Sequence, residues 1–198
     1  MFVKRMFDLS FSLLGVFLLT PLLVLVAILI KFDSRGPVIY KQIRVGQYGK
    51  LFRIYKFRTM VVNADKKGFN ITIGNDSRIT KTGDFLRKYK LDELPQLFNV
   101  IRGEMSLVGP RPEVPEYIDT YGEMERRIVL SLKPGLTDYA SIEFRNENEL
   151  LSESQDVHND YIEKILPIKK RFYIRYVKER SLWLDFKLIT KTLLLIIK

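Results

Sequence analysis

The sequence contains no cysteine and a single histidine, His158. Without cysteine there is no disulfide, zinc–thiolate site or cysteine nucleophile, and this absence is typical of a reducing compartment. One histidine is too few for a metal site built from several histidines, and it leaves little for a serine–histidine triad. Any acid–base or metal chemistry must therefore rest mainly on carboxylates and lysines.

Acidic residues are also in short supply, because 23 Asp and Glu face 33 Lys and Arg and give a formal charge of +10. Such a surplus indicates an anionic partner, and nucleic acid, an acidic lipid surface or a phosphorylated small molecule would each satisfy it. The composition is otherwise that of a folded protein. A length of 198 residues without repeats or low-complexity tracts predicts one domain with a core.

Charge is absent from residues 9–30, a run long enough to cross a bilayer as a helix. Pro21 lies in its middle, where it removes a backbone hydrogen bond and predicts a kink. Basic residues flank both ends of the run and oppose translocation of either end: Lys4, Arg5, Lys31 and Arg35. We therefore expect a Pro-broken re-entrant helix in residues 1–31, with a kinked spanning helix as the alternative. In both cases residues 32–198 form a domain on the cytoplasmic face.

The C-terminal segment "IKKRFYIRYVKERSLWLDFKLITKTLLLIIK" mixes basic and aromatic residues. That mixture suits helices lying at a membrane headgroup interface. A core-packing helix with a solvated basic face is the alternative. The apolar ending "LLLIIK" favours contact with the membrane.

Periodicity and punctuation predict an α-rich α+β fold with a small β-hairpin and several amphipathic helices. Gly and Gly-Pro around residues 38–40 and 51–57 predict the hairpin. Apolar residues at helical spacing predict a helix over residues 82–103, and further helices are expected over residues 113–132, 157–180 and from 182 onward. Residues 62–77 are polar and predict a loop.

The segment "LDELP" predicts the start of a helix, with Asp92 as its N-cap and Pro95 in the first turn. This leaves Glu93 unexplained. Successive helical side chains diverge by about 100°, so adjacent carboxylates can share a target only near a terminus. At such a terminus Asp92 and Glu93 can jointly hold Mg²⁺, which is suited to one or two carboxylates plus substrate phosphates.

Basic residues near rigid turns complete a candidate phosphate site: Lys56, Arg58, Arg87, Arg111 and Arg145. The guanidinium of arginine can donate two parallel hydrogen bonds to phosphate oxygens. The prolines of "GPRP" fix the backbone on both sides of Arg111. The alternatives are a set of solvated surface charges and an ordinary turn. With so little histidine, a metal-assisted aspartate that attacks phosphorus is an economical reading of the chemistry.

The chain resembles the bacterial sugar transferases, small monotopic phosphoglycosyl transferases that start glycan assembly on polyprenol phosphate. The likeness runs along nearly the whole sequence and includes "KRMFDL", "QIRVGQYGKLFRIYKFRTM", "FLRKYKLDELPQLFNVIRGEMSLVGPRP", "KPGLT", "FRN" and "RSLWLD". The long central motif is highly specific, whereas the terminal patterns alone are weak.

The resemblance implies a Mg²⁺-dependent reaction in two steps. The aspartate matching Asp92 attacks the sugar-bearing phosphate of a UDP-sugar and releases UMP, and the phospho-sugar then passes to a polyprenol phosphate, usually undecaprenyl phosphate. Glu93 matches the partner acid, and both acids match the metal site. Lys56 and Arg87 match phosphate-site positions, Arg111 a position near the nucleotide, and Arg145 a further cation near the substrate.

The resemblance also places residues 32–198 as the catalytic domain on the cytoplasmic face of the bacterial inner membrane. Membrane lipids are then partners and nucleic acid is not, while a homo-oligomer stays open. The sequence departs from the family pattern in "DYASIEFRNE" after "KPGLT" and at Phe172-Tyr173, where many members carry an aspartate. These departures leave open which sugar is transferred.

Two other readings compete with this one. A membrane-tethered basic adaptor that binds acidic lipid or nucleic acid without catalysis explains the net charge but not the acidic pair. An enzyme that uses a CDP-linked alcohol as donor keeps the chemistry but is disfavoured by the resemblance.

Overall fold

A long N-terminal helix and two small sheets organise the chain in this computed structural model, which describes residues 2–64, 76–145 and 156–197. The N-terminal half contains α1 Phe2–Asp33, β1 Ile39–Val45, β2 Leu51–Phe57, α2 Lys81–Lys88 and α3 Gln96–Arg102. The next elements are β3 Ser106–Val108, α4 Pro115–Ile118, α5 Glu123–Val129, β4 Gly135–Thr137 and α6 Tyr139–Glu143. The C-terminal part contains α7 Val157–Asp160, a π-helical turn Tyr161–Ile165, α8 Leu166–Glu179 and α9 Leu182–Ile197. The predicted helix-rich class with small sheets is confirmed.

Within the described ranges, α1 is the helix that is long and apolar enough to cross a membrane. It is therefore compatible with membrane anchoring. The helix is continuous from Phe2 to Asp33 with Pro21 inside it, so the predicted break into two arms is not confirmed. Thr20 donates its hydroxyl to the carbonyl of Val16 in the turn that precedes the proline.

Both ends of α1 are fastened to the rest of the chain. Near the N-terminal end, the Arg5 guanidinium donates to the carbonyls of Val100 (2.6 Å) and Ile101 (2.8 Å), close to the C-terminus of α3. Past the other end, Arg58 donates to the carbonyl of Ser34 at 2.7 Å. One face of α1 therefore packs on the domain, while apolar side chains on its other faces are exposed.

The predicted β-hairpin is confirmed. Strands β1 and β2 pair antiparallel from Ile39 opposite Phe57 to Val45 opposite Leu51. The turn between them is a short 3₁₀ helix, Gln47–Gly49, in which Tyr48 has a φ of 57°. This hairpin presents Lys56 one residue before the end of β2.

The helix predicted over residues 82–103 is two helices, because the chain turns sharply at Lys90. Lys90 has a left-handed backbone (φ 54°, ψ 21°) and is followed by the 3₁₀ turn Leu91–Glu93. The prediction of Asp92 as an N-cap is wrong: Lys90 precedes the turn, Pro95 precedes α3, and neither makes a side-chain cap. The helix predicted over residues 113–132 is likewise divided, with Gly122 as the N-cap of α5.

A parallel pair of three-residue strands, β3 and β4, was not predicted. Ser106 pairs with Gly135 and Val108 with Thr137. The pair requires glycine, because a β-carbon on Gly135 would lie 2.1 Å from the backbone nitrogen of Gly109. This close approach fixes the start of the loop that carries Arg111.

Candidate active site

Three segments deliver the predicted site residues to one place. The end of β2 carries Lys56, the 3₁₀ turn carries Asp92 and Glu93, and the loop after β3 carries Arg111. The turn is held against the hairpin by α3, whose Asn99 accepts from the backbone N–H of Tyr55 at 3.0 Å. A short turn, a strand end and a proline-bounded loop are all poorly able to move, which favours fixed geometry at the site.

The cluster is the group formed by Lys56, Asp92, Glu93 and Arg111. Glu93 is its anchor, because it makes the direct ion pairs with both cations. Its Oε1 lies 2.8 Å from the ammonium of Lys56, and Arg111 donates from both terminal nitrogens, one to each carboxylate oxygen. Burial opposes the ionisation of Glu93, but Arg111 and Lys56 outweigh it and hold its pKa well below the usual range. Glu93 in turn raises the pKa of Arg111, although burial opposes that shift. The pair is therefore ionised at neutral pH.

Asp92 lies beside this ion pair but takes no part in it. The residue is 8% exposed, and none of the described residues donates a hydrogen bond to its carboxylate or lies within ion-pair distance. Burial raises its pKa and Glu93 adds to the effect, while Lys56, Arg87 and Lys90 oppose it. Asp92 is thus a carboxylate surrounded by positive charge but not directly paired with it.

Arg87 lies on α2, and a contact with the residues that follow β2 fixes its guanidinium. Its Nε donates to the hydroxyl of Thr59 at 2.8 Å. Gly83 permits this contact, since a β-carbon there would lie 2.0 Å from the carbonyl oxygen of Thr59. Burial lowers the pKa of Arg87 and Asp92 opposes that change.

Lys90 is a cation next to the cluster, and the sequence analysis did not assign it. Reduced hydration lowers its pKa; Glu93 and Asp92 oppose the change, while Arg111 and Lys56 add to it. An ammonium with a lowered pKa gains stability from any anion that joins it. Its position between Arg87 and Asp92 in the sequence was the available signal.

Arg58 and Arg145 are not brought into this cluster by any contact among the described residues. Arg58 is buried and donates to Ser34 past the end of α1. Its place is therefore between α1 and β2. Arg145 follows α6 by two residues and borders residues 146–155, which lie outside the described ranges. Part of the predicted loop over residues 62–77 lies outside them as well.

A second buried polar group lies behind Arg111 and was also not predicted. Glu113 is 4% exposed and accepts from the hydroxyls of Tyr161 (3.2 Å) and Tyr173 (3.1 Å). Asp138 caps α6 through the N–H of Ser141 at 2.6 Å. Glu113 directly follows "GPRP", which was the available sequence signal. The two contacts of Glu113 fasten the Arg111 loop to the C-terminal helical segments.

The acidic pair fits a divalent cation in its donor chemistry. The carboxylate of Asp92 has no direct donor among the described residues, and Oε2 of Glu93 accepts one bond from Arg111 at 3.3 Å. Each carboxylate oxygen can accept more than one contact. Mg²⁺ commonly uses one or two carboxylates together with substrate phosphates and water. In the described part of the chain, three or more acidic or histidine side chains do not gather at any point, so further ligands would come from substrate or water.

Comparison with known proteins adds an independent finding. A family model described as "Bacterial sugar transferase" matches residues 1–198. The chain is 37% identical to a UDP-N-acetylgalactosamine-undecaprenyl-phosphate N-acetylgalactosaminephosphotransferase of Aeromonas hydrophila, over 97% of the chain and 43% of the relative.

Two further relatives agree. The chain is 37% identical to the UDP-glucose:undecaprenyl-phosphate glucose-1-phosphate transferase of Escherichia coli strain K12, over 96% of the chain and 39% of the relative. It is 38% identical to an undecaprenyl-phosphate galactose phosphotransferase of Salmonella typhimurium, over 96% of the chain and 40% of the relative. The chain therefore spans about two fifths of the length of these curated relatives.

Proposed function

The chain belongs to the bacterial sugar transferase family, and we propose that it transfers a sugar 1-phosphate from a UDP-sugar to a polyprenol phosphate. Undecaprenyl phosphate is the carrier in the names of the relatives. Those names differ in the sugar, which agrees with a common reaction and a variable donor. The observation that carries the proposal is that the carboxylate of Asp92 has no direct partner among the described residues, although Lys56, Arg87 and Lys90 act on its charge.

In the first proposed step, a carboxylate oxygen of Asp92 attacks the phosphorus that bears the sugar. A bond forms between that oxygen and phosphorus, and the bond from phosphorus to the bridging oxygen breaks, so UMP leaves with the electron pair. In the second step a phosphate oxygen of the polyprenol attacks the same phosphorus. The acyl phosphate bond then breaks and Asp92 is regenerated.

The electrostatics of Asp92 and Glu93 suit different roles, attack on phosphorus for Asp92 and placement of cations for Glu93. Glu93 uses its charge to hold Lys56 and Arg111, which places two cations where phosphate oxygens would develop charge. Burial raises the pKa of Asp92 and so marks a more basic carboxylate, while Lys56, Arg87 and Lys90 oppose that effect. Arg87 adds a guanidinium fixed by Thr59.

A bound Mg²⁺ would be held by Asp92 and Glu93 and would supply charge neutralisation at the transferring phosphate. The protein's own contribution is to keep Glu93 ionised and to keep competing donors away from Asp92. Lys56 and Arg111 perform the first task directly.

We also propose that residues 1–31 form a re-entrant membrane segment and that residues 32–198 form the catalytic domain on the cytoplasmic face of the inner membrane. Support comes from α1, which is fastened to the same domain near both of its ends. A helix that crossed the bilayer would carry one of these attachments to the far side. The exposed apolar side chains of α1 and of α9, including Trp183 at 74% exposure, give the membrane a surface to contact.

The test is release of UMP by purified protein given Mg²⁺, a panel of UDP-sugars and undecaprenyl phosphate. We expect release with at least one donor and, without acceptor, a burst stoichiometric with the protein. Asp92→Asn should lower the rate by up to about six orders of magnitude, the scale reached when a nucleophile is lost. Asp119→Asn, which alters a side chain that is 70% exposed, serves as the matched control. Full activity of Asp92→Asn would exclude the proposed nucleophile, and release of CMP from CDP-alcohols instead of UMP would exclude the donor class.

A further inference from the structure

Three of the cations assigned to the phosphate site are already engaged within the protein. Lys56 and Arg111 both bind Glu93, and Arg87 donates to Thr59. Lys90 differs from them. The residue as a whole is exposed, although neighbouring groups reduce the hydration of its ammonium. Across residues 2–64, 76–145 and 156–197 its side chain makes no ion pair or hydrogen bond. Lys90 therefore offers a ligand an ammonium that is not paired within these ranges.

The backbone of Lys90 is held in a conformation that lysine disfavours. Its φ of 54° is one that glycine or asparagine adopts at lower cost at the end of a helix. Two backbone bonds fix it there: its N–H donates to the carbonyl of Arg87 at 3.1 Å, and its carbonyl accepts from Glu93 at 3.3 Å. Strained residues of this kind concentrate at functional sites.

The charges that act on the ammonium of Lys90 are those of the active site. Glu93 and Asp92 attract it, and Arg111 and Lys56 repel it. Lys90 also joins α2, which carries Arg87, to the turn that carries both acids. An anion placed beside Asp92 would relieve the repulsion among these cations, and a phosphate group is the anion that the proposed reaction brings there.

We propose that Lys90 is a substrate-binding residue whose ammonium contacts a phosphate group beside Asp92. This inference rests on the proposed function and extends it to a residue that the sequence analysis did not assign. The phosphate belongs either to the diphosphate of the nucleotide sugar or to the polyprenol phosphate. The shared chemistry is a charge-assisted hydrogen bond from lysine to a phosphate oxygen.

Two neutral variants keep the backbone compatible with a left-handed conformation, Lys90→Gly and Lys90→Asn. We expect each to lower kcat/KM by about tenfold to a hundredfold, which corresponds to loss of one hydrogen bond to a charged group. Lys90→Arg should retain most of the activity. Lys88→Ala removes an exposed lysine of α2 whose ammonium lies over the ring of Tyr89, and it should behave like the unaltered chain.

Two kinetic arms distinguish the source of the phosphate. A higher KM for the UDP-sugar in the acceptor-free burst places Lys90 on the donor diphosphate, whereas a higher KM for the polyprenol phosphate alone places it on the acceptor. Unchanged constants in both arms would overturn the inference. Lower activity in both neutral variants with unchanged KM values and a markedly lower Tm would also overturn it, because a merely structural lysine is then the better account.

Equilibrium binding of UDP separates this inference from the proposed function. If no UDP-sugar supports UMP release by the unaltered chain, the proposed function fails. UDP affinity that is at least tenfold weaker in Lys90→Gly than in Lys88→Ala would then still support a phosphate contact on the donor side. Equal UDP affinities in that case would count against the inference as well.

Discussion

At the residue scale, two adjacent acids have opposite electrostatic roles. Glu93 takes the direct contacts of Lys56 and Arg111, and its pKa falls. Asp92 receives none of these contacts, and burial raises its pKa. The difference is one of contact, because only the carboxylate of Glu93 lies within hydrogen-bond distance of the cations on β2 and on the Arg111 loop. Glu93 thereby leaves the carboxylate of Asp92 without a direct partner among the described residues.

Removing the charge of Glu93 tests this account through stability. Glu93→Gln leaves Lys56 and Arg111 close together without a counter-charge, and we expect a loss of about 3 kcal/mol in the free energy of unfolding. Denaturant unfolding in detergent micelles measures the loss. Combining Glu93→Gln with Lys56→Met should restore part of it, because the two changes act on one contact.

The control for this experiment is Glu123→Gln. Glu123 has a side chain that is 89% exposed and pairs with Arg127 on the surface of α5. Exposed pairs contribute little, so we expect no measurable change. A Glu93→Gln protein as stable as this control would contradict the assigned anchor.

At the element scale, a buried polar network joins α1, β3 and α9. Lys4 lies between two buried carboxylates, 2.7 Å from Asp8 and 3.0 Å from Asp185. Asp8 also accepts from the hydroxyl of Ser106 and the N–H of Leu107. Since β3 leads directly into the loop that carries Arg111, this network connects the membrane-anchoring helix to the site.

Asp8→Ala should weaken the attachment of α1 to β3 and α9. The change leaves the β3 donors without an acceptor and Lys4 with one carboxylate partner, so we expect about 3 kcal/mol of destabilisation. Thermal melting in detergent measures it. Ser10→Ala alters an exposed residue of the same helix and should melt like the unaltered chain. Equal melting temperatures for the two variants would show that the Asp8 network does not contribute to holding α1.

At the scale of the whole molecule, the attachment of α1 near both ends decides how the chain can meet a bilayer. Arg5 binds carbonyls at the end of α3, and Arg58 binds the segment that follows α1. An exposed apolar surface is therefore displayed by a helix whose two ends belong to one body. Under the proposed re-entrant arrangement, such a body would sit on one side of a membrane and insert only part of α1.

The absence of cysteine makes this arrangement testable by labelling. Single cysteines at Phe2, which is 77% exposed, and at Lys50 in the hairpin turn should react from the same side of the membrane. Both should label with an impermeant maleimide in inverted vesicles and neither in intact spheroplasts. The cysteine-free chain is the background control. Labelling of the Phe2→Cys protein from the outer side would establish a spanning helix.

Local patterns in the sequence were sufficient for several elements. The glycines around residues 38–57 predicted the hairpin, and apolar spacing predicted helices at both ends of the chain. The motif around "LDELP" and "GPRP" identified the family. These features are local, because they depend on hydrogen bonds and periodicity within a few turns of chain.

Only the tertiary structure decided how the site is assembled. The break at Lys90 has no glycine to mark it, and the strands β3 and β4 are too short for a periodic signal. The contact of Arg58 with Ser34 depends on where α1 is placed. The sequence by itself determined which charged groups are present and on which kinds of element. Which of two neighbouring acids is paired depended on contacts between residues 37 and 18 positions apart, and such contacts exist only after the chain has folded.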